Sequence, residues 1–407
     1  MPVSFKHAVL PNGLTVIAEV DPAALTAAAG FFVCTGTRDE ATALMGVSHF
    51  LEHMMFKGTA RRSADDVNRD FDRLGARANA YTSSELTAFH AATLPERLPE
   101  ALEILADILR PALRDEDFAT EKGVILEEIA MYADDPVWRL YEQTIQTHYA
   151  LHPLGHRVLG TPQTISDMQP EQMRDYFRRR YSADNTVLAL AGNIDFDAIT
   201  DAARQLCGAW ERTGAARDHG RPAYAEHHFH LTDPKLSRAY RLMVAPGPGM
   251  NDPSRYTAFV LAQLLGGSDN SRLHWSLIEP GIAEEADAGY GPRDGVGDFR
   301  LFVATDPDRL DEAWAIAGDE LAHLADRITE QDVERIVAKV ATGVVLAGER
   351  PDGRMHRIGR QWMYQREYTT LEDELARIEK VRVQHVRQLL ADMPWTPATT
   401  GTLLPAG

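Results

Sequence analysis

Within the stretch Gly46 to Thr59, Val47, Phe50, Leu51, Met54 and Met55 fall at i, i+3, i+4, i+7 and i+8. That is the spacing of a helix with one face in a core. The intervening His49, Glu52 and His53 gather on the other side and spell H-x-x-E-H. A second helical pattern runs from Asp117 to Tyr132, with Val124, Ile125, Ile129 and Tyr132 as its apolar stripe. Glu121 and Glu128, two turns apart, lie inside that stripe, whereas Glu127 projects away from it.

The same reading along the chain predicts a mixture of strands and helices. Phe5 to Leu10 and Leu14 to Val20 read as a hairpin about Asn12-Gly13. Leu25 to Gly36 and Thr186 to Ala191 are apolar enough for buried strands, and Gly75 to His90 reads as two more strands. Ser63 with Asp66 three residues on opens a helix. Leucines at 98, 102, 105 and 109 mark another, and Asp134-Asp135-Pro136 reads as a helix break. Pro170 to Tyr181 and Asp197 to Trp210 are also helical patterns. Thr213 to Tyr224 lacks periodicity and is the expected linker. Beyond it the order partly repeats: a strand at Arg238 to Ala245, a helix at Ser254 to Leu265, a strand at Arg300 to Thr305, and helices at Leu310 to Ile328 and Glu330 to Leu346. Val383 to Leu390 followed by Thr399 to Leu404 echoes Met173 to Tyr181 followed by Thr186 to Leu190. Two halves of similar α+β design are expected, residues 1–212 and 225–407, joined by 213–224. Only the first carries H-x-x-E-H.

Composition narrows the classes of function. A chain of 407 residues with 44% hydrophobic and 25% charged residues is an ordinary globular protein. Its net charge of −18 argues against nucleic acid as a partner and favours cationic substrates. Cys34 and Cys207 are the only cysteines, which excludes a disulfide framework. The first residues, MPVSFKHAVLPNG, have no apolar core of a signal peptide, and no run of 18 apolar residues occurs. The expected address is the cytoplasm, with no membrane partner.

The histidines give the helix its chemistry. Imidazoles at i and i+4 stack one turn apart and can reach one ion, which zinc accepts at about 2.0–2.1 Å. Glu52 lies beside the same point, where a carboxylate can take a proton from an activated water. A solvated helix face would show the same pattern, so a metal site needs a third ligand from elsewhere. A carboxylate aimed into an apolar face is costly unless paired or bound to metal. That selects Glu128 over Glu127 as the candidate, with hydrogen-bonded half-buried acids as the alternative for Glu121 and Glu128.

Three motifs in order, HFLEHMMFKGT (His49 to Thr59), GARANAYTSSELTAFH (Gly75 to His90) and EKGVILEEIAMYADDP (Glu121 to Pro136), resemble the M16 zinc peptidases, the pitrilysin and insulinase-like inverzincins. The length and two-half layout are similar to the family's short, processing-peptidase-like members. The resemblance implies two domains, each a mainly antiparallel sheet packed with helices. It implies one zinc per chain held by His49, His53 and Glu128, with Glu52 as catalytic base and Glu121 supporting the metal site. The interval from His49 to Glu128, 128 − 49 = 79 residues, is in keeping with it. Asn79, Ala80, Tyr81 and Thr82 resemble the edge strand on which these enzymes lay out an extended peptide.

The second half departs from the family pattern. Active members often carry an Arg and a Tyr after a Ser-Arg-Leu segment; here Ser271-Arg272-Leu273 is kept, but Ile278 and Glu284 stand in those places. Arg272 is a candidate substitute for substrate binding, with a structural arginine as the alternative reading. The expected function is a zinc-dependent endopeptidase for peptides or unfolded chains, basic ones favoured, acting in a chamber between the two halves. The alternative is a weakly active or non-catalytic peptide-binding subunit, paired with itself or with a related M16 chain. A zinc hydrolase of non-peptide amides is a third reading, against which the Asn79 to Thr82 strand speaks.

Overall fold

The computed structural model describes residues 3–218, 220–267 and 269–406. The strands are β1 (Ser4–Val9), β2 (Thr15–Val20), β3 (Ala27–Val33), β4 (Arg77–Thr82), β5 (Thr87–Thr93), β6 (Thr186–Gly192), β7 (His227–Asp233), β8 (Ala239–Gly247), β9 (Glu285–Pro292), β10 (Gly297–Thr305) and β11 (Thr399–Pro405). Helix α1 is Val47–Met55, α2 Asp115–Ala133, α3 Pro136–Tyr149 and α4 Pro351–Gln365.

One sheet has the order β1-β2-β6-β3-β5-β4 and the other β7-β11-β8-β10-β9. In the first, β2 and β6 are parallel and every other pair is antiparallel. In the second, β7 and β11 are parallel and the rest antiparallel. Stripped of β1, the two sheets therefore have the same strand sequence and the same pattern of directions. The protein is α+β, built from two similar domains, and the weak echo between the two halves of the sequence reflects this shared topology.

The units are not two contiguous segments. The first comprises Met1–Ala130, His156–Asp218 and Val345–Thr369; the second comprises Met131–Gly155, His219–Val344 and Thr370–Gly407. The switch at Asp218 falls inside the expected linker, of which His219 lies outside the described residues. Division at the linker alone misses two exchanges: α3 belongs with the second sheet and α4 with the first. Asp134-Asp135-Pro136 ends α2 but also starts α3, because the Asp135 carboxylate caps the Val137 and Trp138 amides and Pro136 occupies the first turn. Nor is the linker loose as far as Arg217, whose side chain is buried and donates to both Asp39 carboxylate oxygens, at 3.0 and 2.8 Å.

In the first unit, apolar side chains fill both faces of the sheet, so β3 and β6 are buried at every position. One face packs α1 together with the helices Leu98–Ile108, Pro170–Arg180 and Phe196–Cys207. The other packs α4 through Met355, Ile358 and Met363 against Ile17, Phe32 and Val187. Glu19, buried in β2, holds α4 by accepting from Arg354 at 3.1 Å and from Arg357, and also accepts from Tyr368, just beyond the helix, at 2.9 Å. In the second unit, α3 covers one face through Leu140, Ile145 and Tyr149. The helices Arg255–Leu265, Leu310–Ala322 and Glu330–Gly348 cover the other.

Smaller departures from the sequence reading have local causes. Leu25 is exposed and β3 begins at Ala27. The expected Leu310 to Ile328 helix breaks at His323. Both thiols are free, Cys207 buried and Cys34 half-buried. No helix among the described residues is long and apolar enough to cross a membrane.

Candidate metal centre

Helix α1 starts at Gly46, whose φ of 95° makes the turn from the preceding segment. The Glu40 carboxylate closes the helix start by accepting from the Gly46 and Ser48 amides, both at 2.7 Å. Val47, Phe50, Leu51, Met54 and Met55 are all buried, as their spacing requires. This fixes the rotation of α1 and sends His49, Glu52 and His53 to its other side.

Helix α2 brings the third side chain. Its inward residues are Phe118, Glu121 and Ile125, with Glu128 half-buried one turn further. Val124, expected in the stripe, is 43% exposed, because the stripe turns through Phe118 rather than Val124. Glu127 is exposed. The Glu128 Oε2 lies 3.8 Å from His49 Nε2 and 3.7 Å from His53 Nε2. The ligand atoms of all three side chains lie within 4.8 Å of one another. Tetrahedral zinc sets its ligand atoms about 3.4 Å apart, so each imidazole–carboxylate pair fits the ion after a shift of a few tenths of an ångström.

The surrounding groups orient these side chains. Glu121, almost wholly buried, places Oε1 2.8 Å from His53 Nδ1 and Oε2 2.5 Å from Lys57 Nζ. With Nδ1 donating to Glu121, the Nε2 lone pair of His53 faces Glu128. Burial pulls the His53 imidazolium down, but the hydrogen bond and charge of Glu121 outweigh it and leave the pKa raised. Burial raises Glu121 in turn, and His53 and Lys57 bring it below the usual carboxylate range. His49 is the contrast: burial, then the neighbouring His53, lower it to about 4, so it is neutral at pH 7 and able to donate a lone pair. Its Nδ1 is buried with no hydrogen-bond partner among the described residues. Burial pushes both Glu128 and Glu52 up. The Thr82 hydroxyl donates to Glu52 Oε2 at 2.6 Å and fixes that carboxylate beside the histidines.

Thr82 also links the helix to β4, the edge strand of the first sheet. Ala80 faces the core shared with α1, and the Asn79 side chain caps the Ala80 amide at 2.9 Å. Tyr81 faces the opposite side of the sheet, with α4. Arg272 belongs to the second unit, where its guanidinium bonds Glu320 at 2.9 Å. There too, Ile278 packs half-buried against the core and Glu284 pairs with Arg238. Sequence reasoning singled out neither Lys57 nor Glu40. Lys57 stands four residues after His53, a spacing that could have suggested it; no local signal points to Glu40.

Residues 15–162 match the family model described as Insulinase (Peptidase family M16), and residues 167–340 match the Peptidase M16 inactive domain. An uncharacterized zinc protease of Streptomyces coelicolor is 32% identical over 404 residues, covering 95% of this chain and 87% of its own. One from Bacillus subtilis is 30% identical over 406 residues, covering 99% and 98%. Among solved structures, a protease from Helicobacter pylori has a TM-score of 0.91 at 18% identity, with 99% of this chain and 100% of that one covered. Complex III2 from Candida albicans contains a chain with a TM-score of 0.86 at 19% identity, with 99% and 96% covered. Peptidase is the general activity that this kinship supports. By its two family matches and its near full-length relatives, the chain belongs to peptidase family M16.

Proposed function

We propose that the chain is a zinc-dependent endopeptidase in which His49, His53 and Glu128 hold one zinc ion. The observation that carries this is the meeting of two imidazole nitrogens and a carboxylate oxygen from a helix 79 residues away (128 − 49), with Glu52 beside them. Zinc bound there supplies Lewis acidity, acidifying a water and polarising a peptide carbonyl. Glu52 accepts the proton of the attacking water and passes it to the leaving amine. Burial raises its pKa, which suits a group that must both take and give a proton, and Thr82 keeps its second oxygen oriented. Glu121 holds the His53 ring in the tautomer that offers Nε2 outward. The free edge of β4, from Asn79 to Thr82, offers backbone groups to an extended peptide. The net charge of −18 favours basic peptides.

The test is Glu52→Gln. It is expected to retain zinc and to lose cleavage of a quenched basic peptide by at least about a hundredfold. Turnover at the native rate by the zinc-loaded variant removes Glu52 as the base.

A second reading is favoured by Ile278 and Glu284, which leave the second unit without the Arg and Tyr of active members. On this reading the chain binds peptides as a subunit of a heteromeric assembly; one chain of this fold comes from Complex III2. Chelator-sensitive cleavage by the chain alone supports the first reading. Cleavage that arises only with a related chain supports the second.

A further inference from the structure

The first unit gathers another set of donors on the sheet face opposite α1. Along β5, Phe89 packs in the core shared with α1, while Ala88 and Ala92 face α4. His90 shares their side by the alternation of the strand. Helix α4 presents Asp352 and His356, four residues apart and so one turn above each other. Asp352 Oδ1 lies 3.7 Å from His90 Nδ1 and 3.7 Å from His356 Nε2. The imidazole rings sit 4.4 Å apart at 75°. All three ligand atoms fall within 4.8 Å of one another.

These distances are too long for hydrogen bonds. They are close to the spacing that a shared ion imposes, about 3.4 Å for tetrahedral zinc. His90 Nδ1 is buried with no hydrogen-bond partner among the described residues, and an ion would supply one. Burial, then His356, lower His90 to about 4, and burial lowers His356, so both rings keep a lone pair at neutral pH. Asp352 is 40% exposed in its side chain, which leaves a route in from solvent.

We propose that His90, Asp352 and His356 form a second divalent-metal site, which fastens α4 to the first sheet. Two imidazoles and one carboxylate select a borderline ion such as Zn²⁺ or Co²⁺ over Ca²⁺ or Mg²⁺. The site is structural. It joins positions 262 residues apart (352 − 90) and anchors the helix that the C-terminal half lends to this unit. The Tyr81 ring of β4 stands 6.4 Å from the His90 ring and 5.9 Å from that of His356, so the ion would sit directly behind the edge strand.

The experiment uses the full chain with Co²⁺ as a spectroscopic probe. A His49→Ala/Glu128→Gln variant removes the H-x-x-E-H centre. It is expected to bind one equivalent of Co²⁺ with visible d–d absorption and to melt higher when loaded. Adding His356→Ala is expected to abolish both. Adding the partly exposed change Asp352→Asn, which spares the packing of α4, is expected to weaken binding while the circular dichroism stays native. Uptake that survives His356→Ala, for instance on the exposed His228 and His230 of β7, overturns the proposal. So does a natively folded double variant that binds no Co²⁺.

Discussion

Replacing Glu121 separates orientation of the proposed metal ligand His53 from ligation itself. Its carboxylate is buried and makes two contacts, His53 Nδ1 at 2.8 Å and Lys57 Nζ at 2.5 Å. Lys57 is 36% exposed and can return to water when its partner goes. The loss therefore falls on His53, whose ring is 27% exposed and has no other hydrogen bond to hold its tautomer among those described. Removing such a support lowers metal affinity by about 10–100-fold, or about 1.4–2.7 kcal/mol. Glu121→Ala is expected to weaken zinc by that amount, measured by competition with a chromophoric chelator at fixed pH. Glu121→Gln keeps an oxygen facing Nδ1 and removes only the charge, so it is expected to fall between Ala and the native chain. An Ala variant that folds natively and binds zinc within about twofold of the native chain would refute the claim that Glu121 sets the His53 tautomer.

Three further outcomes follow from the packing. Gly46→Ala puts a Cβ 2.7 Å from the Leu159 carbonyl oxygen at a φ of 95°, and the opposing atoms are backbone. It is expected to cost on the order of 3 kcal/mol in urea unfolding, and a loss under about 1 kcal/mol would contradict it. Glu19→Ala removes the buried carboxylate that Arg354 and Arg357 share and is expected to cost about 3–5 kcal/mol. Limited proteolysis should then cut first in the α4 segment, and cleavage elsewhere first would speak against Glu19 as its anchor. Burial pushes Glu40 up to about 7 from an unfolded value of 4.5, against the Ser48 and Gly46 amide bonds that hold it down. The folded state then binds more protons than the unfolded between those values, so stability falls as pH rises through that window. Glu40→Gln lacks this dependence. The stability of the native chain relative to the variant is expected to drop by about 2 kcal/mol from pH 5 to pH 7; a flat difference would refute the assignment.

The candidate centre was largely legible because its two helices obey local rules. Helical periodicity in α1 fixes which side His49, Glu52 and His53 occupy, and every apolar position of that stripe is buried. On α2 the stripe pointed to Glu128, which lies beside the two histidines, over the exposed Glu127, even though it enlisted the exposed Val124. The reason is geometric: Glu121, Ile125 and Glu128 lie three to four residues apart, so a small error in the centre of the stripe does not move them off it. Glu40 was illegible for the opposite reason. Its partners are backbone amides six and eight residues on, and the turn that brings them back is made by a left-handed Gly46, not by any pattern of side chains.

The exchange of helices was hidden for a deeper physical reason. Helix α4 reads PDGRMHRIGRQWMYQ, with two glycines and five charged or histidine positions around Met355, Ile358 and Met363. Gly359 leaves room for the Phe32 ring, whose nearest atom would lie 2.3 Å from a Cβ there. The apolar face is thus narrow because an aromatic from the sheet fills part of it, and its polar neighbours are answered by Glu19, a residue 335 positions away from Arg354. A buried carboxylate in β2 and a polar helix each look like errors when read separately. Together they compensate each other, and only the folded register brings them into contact. The same holds for α3, where a capping Asp135 and Pro136 read as an ending because the sheet that receives the next helix is encoded roughly 100 residues later. Sequence periodicity describes what one segment presents. It does not name the segment that receives it, and in this chain the receiving sheet for each exchanged helix lies in the opposite half.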